Sequence, residues 1–129
     1  MSKVRLTREQ SRDQTRQRLL DAAQSIFVAK GFMATSVEDI AEQAGYTRGA
    51  FYSNFSSKSE LFLQLLRRDH ESVMNEMRAI FEEGESRPQM EARVLEHYST
   101  HFHQNDCFLL WMEGKLQAVR DPEFRVGFL

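Results

Sequence analysis

Cysteine is almost missing from this 129-residue chain. The one present, Cys107, cannot close an internal disulfide, and no CxxC pair exists to hold a structural zinc. Proline is confined to Pro88 and Pro122, and there are six glycines, so little in the chain stops a helix from propagating. The longest unbroken apolar run, Cys107 to Met112, is six residues, against the roughly 20 needed to cross a bilayer. No charged segment followed by an apolar stretch opens the chain, so no secretory signal is expected. No P-loop, dinucleotide fingerprint or Ser/His/Asp grouping occurs, so neither enzymatic activity nor a cofactor is expected. With 41% hydrophobic and 28% charged residues, the expectation is a cytoplasmic, ordinary globular chain of about one domain.

The net charge of −2 conceals a division. Through Arg68 there are 11 basic residues against 7 acidic ones, a balance of +4; from Asp69 onward 6 basic residues face 12 acidic ones, a balance of −6. Such asymmetry suggests that the basic half meets a polyanion, the alternative being a solvated face that is basic by chance.

Apolar residues recur near every 3.6 positions and nowhere alternate cleanly, which predicts an all-α protein without repeats. A polar, Arg-rich segment reads as a mobile basic arm over 1–14. The first helix follows over 15–30, with Leu19, Ala23, Ile26 and Phe27 on one stripe and Gly31 past its end. Ser36-Val37-Glu38-Asp39 fits a capping box opening a short second helix, which Gly45 closes. Thr47 caps a third, over Arg48 to about Asn54. Ser57-Lys58-Ser59-Glu60 is a second capping box, opening the longest helix. Pro88 suits the first turn of a fifth helix, 108–119 reads as a sixth, and Asp121-Pro122 as the start of a seventh.

Two short helices joined at Gly45 form a helix-turn-helix. Such a motif reads DNA when its second helix is small near the N-terminus, polar toward base edges and apolar behind. Gly49 and Ala50 are small, Thr47 and Arg48 polar, and Phe51 and Phe55 apolar, while Tyr52, Ser53 and Asn54 offer groups to phosphates. The plainer reading is an ordinary pair of packed helices.

Gly31-Phe32, Thr35-Ser36-Val37-Glu38-Asp39-Ile40-Ala41, Ala44 to Phe55 and Lys58-Ser59-Glu60-Leu61-Phe62 together closely resemble the DNA-binding domain of TetR-family transcriptional regulators. The likeness covers about Leu19 to Leu66, and beyond it only the helical layout is similar. The resemblance implies a three-helix DNA-binding domain over 15–56. A helical ligand-binding and dimerisation domain over 57–129 follows, incomplete as it stands. It implies a sequence-specific regulator, most simply a repressor, whose partners are double-stranded DNA with a palindromic operator and an unidentified small-molecule effector. Effector binding in the family spreads two reading heads that otherwise fit successive major grooves about 34 Å apart.

The DNA-binding residues implied are Thr35, Ser36, Thr47, Arg48, Gly49, Ala50, Tyr52, Ser53, Asn54 and Lys58. Ser36, Thr47 and Lys58 would meet phosphates. Arg48, Gly49 and Ala50 would face base edges, Arg48 being suited to a bidentate bond with guanine. Tyr52 and Asn54 would grip the backbone. The family usually carries His at the position of Asn54, so a titratable donor is lost there. Glu38 stands where some members carry a base-reading basic residue; simple solvent exposure is preferred here over a role in the groove. Tyr98, Phe102, Phe108, Trp111 and Met112 are the candidate pocket lining, with ordinary core as the plainer alternative.

Family members are longer, and their last two helices make the dimer. The chain is therefore expected to be a fragment or a short form. Homodimerisation is expected of a full-length chain rather than of these residues. Phe108, Trp111, Phe124 and Phe128 would then be partly uncovered. His97 and His101 share a helix face and could chelate zinc or nickel, but two surface histidines are the simpler reading and no metal is expected. The alternative function is a helical metal- or small-molecule-sensing module with the helix-turn-helix as scaffold.

Overall fold

A computed structural model of the chain describes residues 7–84, 86–104 (backbone only for 101–104) and 107–129. Every regular element among the described residues is an α-helix: α1 (Arg8–Lys30), α2 (Val37–Ala44), α3 (Arg48–Asn54), α4 (Lys58–Glu82), α5 (Arg87–Gln104), α6 (Cys107–Arg120) and α7 (Pro122–Phe128). No helix of the described residues is long and apolar enough to cross a membrane. The chain divides into two compact units, Met1–Phe62 and Leu63–Leu129.

The helix α1 starts at Arg8, so residues 8–14 are helical where a mobile arm was expected. The cause is a capping box. The Gln10 N–H donates to the Thr7 hydroxyl at 3.1 Å, and the Thr7 N–H donates to the Gln10 side-chain oxygen at 2.9 Å. Residues 1–6 of that arm lie outside the described residues.

The core of the first unit is aromatic. Phe27, Phe32 and Phe62 form a triangle with centroid separations of 5.0 to 5.4 Å, and Phe51 and Phe55 add a second pair at 5.6 Å. All five are buried, as are Leu19, Leu20, Ile40 and Leu61 between them. Each such side chain contributes about 1.5–3 kcal/mol relative to exposure. Because Leu61 and Phe62 belong to this core, the unit extends past residue 56, where the expected domain ended.

In the second unit, the Asp69 carboxylate on α4 accepts from the Trp111 indole at 2.7 Å and from the Cys107 thiol at 3.1 Å, tying α6 to α4. Asp121 caps α7 by accepting from the Glu123 and Phe124 N–H groups at 3.0 and 3.4 Å, with Pro122 in the first turn. Arg125 on α7 donates to the Ala118 and Val119 carbonyls at 2.8 and 3.1 Å, closing the end of α6. Phe124 was expected to lie partly uncovered. It is 2% exposed, because α7 folds back on α6 instead of projecting from it. Trp111 and Phe128 are half-buried with centroids 5.9 Å apart, and Phe108 is exposed.

Candidate nucleic-acid interface

The α2–turn–α3 segment forms as its sequence dictates. At α2 the Ser36 hydroxyl accepts from the Asp39 N–H at 3.0 Å, and the Asp39 carboxylate accepts from the Ser36 N–H at 2.9 Å. Lys30 at the end of α1 donates to the same carboxylate at 2.9 Å. These partners, the Ser36 backbone first and Lys30 next, hold the Asp39 carboxyl at about 2, below its ordinary 3.8. Gly45 then turns the chain with φ +82°, left-handed backbone that other residues adopt at a cost. The Thr47 hydroxyl accepts from the Ala50 N–H at 3.2 Å and starts α3.

Helix α3 is anchored from behind by Phe51, which is fully buried. Its outer surface presents Thr47, Arg48, Gly49, Tyr52 and Ser53, all exposed, with Ala50 half-buried beside them. The absence of a side chain at Gly49 lets another molecule approach the backbone, and Thr47 Oγ1 at 3.7 Å is the near neighbour that an added Cβ would meet. The Arg48 guanidinium lies 5.5 Å from the Tyr52 ring centroid, and its Nη1 is 3.1 Å from a Glu38 carboxylate oxygen. The Tyr52 hydroxyl first and Glu38 second raise the Arg48 pKa further. Glu38 is thus exposed, as expected, but also paired.

Four of the expected contact side chains have partners inside the protein. Thr35 is 3% exposed, and its hydroxyl donates to the Gly31 carbonyl at 2.7 Å, so this side chain is occupied in the loop after α1. The Lys58 ammonium donates to the Phe32 and Thr35 carbonyls at 2.7 and 2.8 Å and lies 4.1 Å from the Phe32 ring centroid. It clamps the α1–α2 loop, and burial lowers its pKa. The Asn54 amide folds back to donate to the Ala50 carbonyl at 3.0 Å, and the Ser53 hydroxyl donates to Gly49 at 3.0 Å. Both groups are occupied within α3, although Ser53 keeps an exposed surface. In the second capping box, the Glu60 N–H donates to Ser57 at 3.0 Å as expected, but the Glu60 carboxylate accepts from Ser56 instead.

The first turns of α1 supply cations that the sequence reading did not assign to the interface. A cleft of about 480 Å³ brings Arg8, Ser11 and Arg12 against Ala50, Ser53 and Asn54 of α3. Arg12 donates to the Ser53 carbonyl at 3.2 Å. The signal was available: Thr7 and Gln10 have capping-box spacing, and Arg8, Arg12 and Arg16 recur at i, i+4 and i+8. Tyr46 in the turn accepts from Arg18 at 3.3 Å. Thr15 and then Arg18 pull the Tyr46 phenol below its ordinary value.

Of the expected pocket lining, Trp111 lines a cavity of about 460 Å³ with Leu63, Leu66, Arg67, His70 and Phe128. Tyr98, Phe108 and Met112 are exposed, and Phe102 lies outside the described side chains. His97 Nδ1 lies 2.7 Å from a Glu76 carboxylate oxygen, while the side chains of His101 and His103 lie outside those described. Among the described residues no three His, Cys, Asp or Glu side chains are grouped to hold a metal.

Residues 19–65 match the model for bacterial regulatory proteins of the tetR family. The chain is 37% identical over 110 residues to the HTH-type transcriptional repressor KstR2 of Rhodococcus jostii, covering 84% of this chain and 54% of that one. It is 32% identical over 113 residues to the HTH-type transcriptional activator FasR of Mycolicibacterium smegmatis, covering 87% and 51%. The chain spans about half the length of these curated relatives. Among solved structures it is similar to a transcriptional regulator of the TerR/AcrR family from Aquifex aeolicus, with a TM-score of 0.65 and 28% identity. That match covers 88% of this chain and 62% of the other.

Proposed function

Since this chain belongs, through residues 19–65, to the tetR family of bacterial regulatory proteins, we propose that it is a DNA-binding transcriptional regulator whose α3 enters the major groove. The observation that carries the reading is the outer surface of α3. An exposed guanidinium, Arg48, stands beside an open glycine, Gly49, on a helix anchored by the buried Phe51. Arg48, Gly49 and Ala50 face the bases, with Tyr52 beside them toward the backbone. Ser36, Thr47, Arg8 and Arg12 supply the flanking polar and cationic contacts that fix register on phosphates.

Repression is the sign we adopt. Occupying a duplex is sufficient to exclude other proteins, whereas activation needs a further surface. The two relatives, one an activator and one a repressor, point one each way. A full-length homodimer on a palindromic operator, released by a small-molecule effector held in the second unit, completes the proposal.

Fluorescence anisotropy on duplex from the chain's own upstream region tests it. Binding should weaken steeply with salt, as phosphate contacts release counterions. Arg48→Ala should cost about 1–3 kcal/mol on the preferred sequence and relax one base preference. A variant that kept the full preference would refute the assignment.

A further inference from the structure

The geometry points to Glu38 as the residue that sets sequence selectivity, by holding the Arg48 guanidinium in a base-reading pose and away from phosphates. This inference rests on the DNA-binding reading given above.

Three observations combine. Glu38 lies in the first turn of α2 and Arg48 is the first residue of α3, so their ion pair joins the two helices across the Gly45 turn. The contact is made through one guanidinium nitrogen, Nη1, at 3.1 Å. Tyr52, one turn on in α3, places its ring 5.5 Å from the guanidinium carbon. The group is therefore held from two sides while remaining 65% exposed.

A guanidinium has five N–H donors, and one carboxylate contact leaves others to make the paired bonds that guanine O6 and N7 accept. An unrestrained Arg at this place would sample many rotamers, among them ones that reach the phosphate backbone, which carries no sequence information. The Glu38 carboxylate opposes that in two ways. It confines the guanidinium, and its own charge, 56% exposed beside the reading surface, repels phosphates that come close without a base to fill the gap. Glu38 acts through Arg48; it is a positioning residue and need not itself touch a base.

The test uses the full chain. A duplex is selected from a random pool by the wild-type protein, and its affinity is compared with that of a scrambled duplex at matched salt. Four proteins are measured: wild type, Glu38→Gln, Arg48→Ala and the double variant. Glu38→Gln keeps the shape and removes the charge, and unchanged thermal melting shows that the fold is kept. The expected result is tighter binding to the scrambled duplex and a specificity ratio lowered by about five- to tenfold, on the scale of one base contact. In the Arg48→Ala background the same change should leave the ratio unaltered. A ratio that stays constant or rises in Glu38→Gln overturns the inference, as does an equal fall in both backgrounds. If the wild-type chain selects no sequence from the pool, it is the DNA-reading assignment of α3 that fails instead.

Discussion

Replacing Lys58 by Met separates two accounts of the same cation. As a phosphate contact, its loss would weaken DNA binding and lower the log–log salt slope by about one, leaving stability nearly untouched. As placed in the structure, it does something else. Its ammonium makes two hydrogen bonds, at 2.7 and 2.8 Å, to carbonyls of the α1–α2 loop, and it lies 4.1 Å from the Phe32 ring centroid. Methionine keeps most of the aliphatic stem but donates nothing. A hydrogen bond from a charged donor contributes about 1.5–3 kcal/mol, and the cation–ring contact about 0.5–1 at a partly exposed site. Water can reach part of the site and replace some of this, so a loss of about 2–3 kcal/mol is expected. With a urea m-value of about 1–3 kcal/mol/M, the unfolding midpoint falls by roughly 1 M. Urea denaturation followed by circular dichroism measures it, alongside anisotropy titrations on non-specific duplex at several salt concentrations. A stability change below about 0.5 kcal/mol, the usual range of surface substitutions, together with a slope smaller by one, would refute the clamp and restore the phosphate contact.

Gly45→Ala should cost about 1–2 kcal/mol in denaturant unfolding. Its φ of +82° penalises any Cβ while nothing within 4 Å would clash, so the cost is one of backbone conformation alone. Asp39 predicts a pH window. Its carboxyl sits at about 2 when folded against an ordinary 3.8, so its contribution to stability is full above about 3.8 and is lost as pH falls through about 2. The stability difference between wild type and Asp39→Asn should therefore be constant at neutral pH and shrink across that acid range. A difference independent of pH there would show that the Lys30 and Ser36 contacts do not form.

What could be read from the chain was whatever local spacing determines. The all-α class follows from the 3.6 periodicity, and α2, α3 and their turn follow from Ser36, Gly45 and Thr47, each acting within four residues. The start of α1 depended on an equally local signal, Thr7 to Gln10, obscured because the surrounding residues are polar and look like a solvated arm. Lys58 and Glu38 could not be placed in this way. Lys58 meets carbonyls 23 and 26 residues back, and Glu38 meets an arginine ten residues on. Chemistry names what such groups can bind, and only the tertiary fold says which partner arrives first. The same holds for Phe124, whose burial depends on α7 turning back against α6.

Helix α3 has seven residues, well below the length at which a lone helix persists in water. It is nonetheless complete, because Thr47, Ser53 and Asn54 satisfy backbone groups of their own helix and Phe51 fastens it to the core. On the proposed reading, the protein would meet a duplex with its probe already cast. Little ordering entropy is left to be lost at the moment of encounter, and association need not wait for a coil to wind. If α3 reads DNA as proposed, mutations that loosen Phe51 would therefore slow capture as well as lower stability, even though that ring is buried.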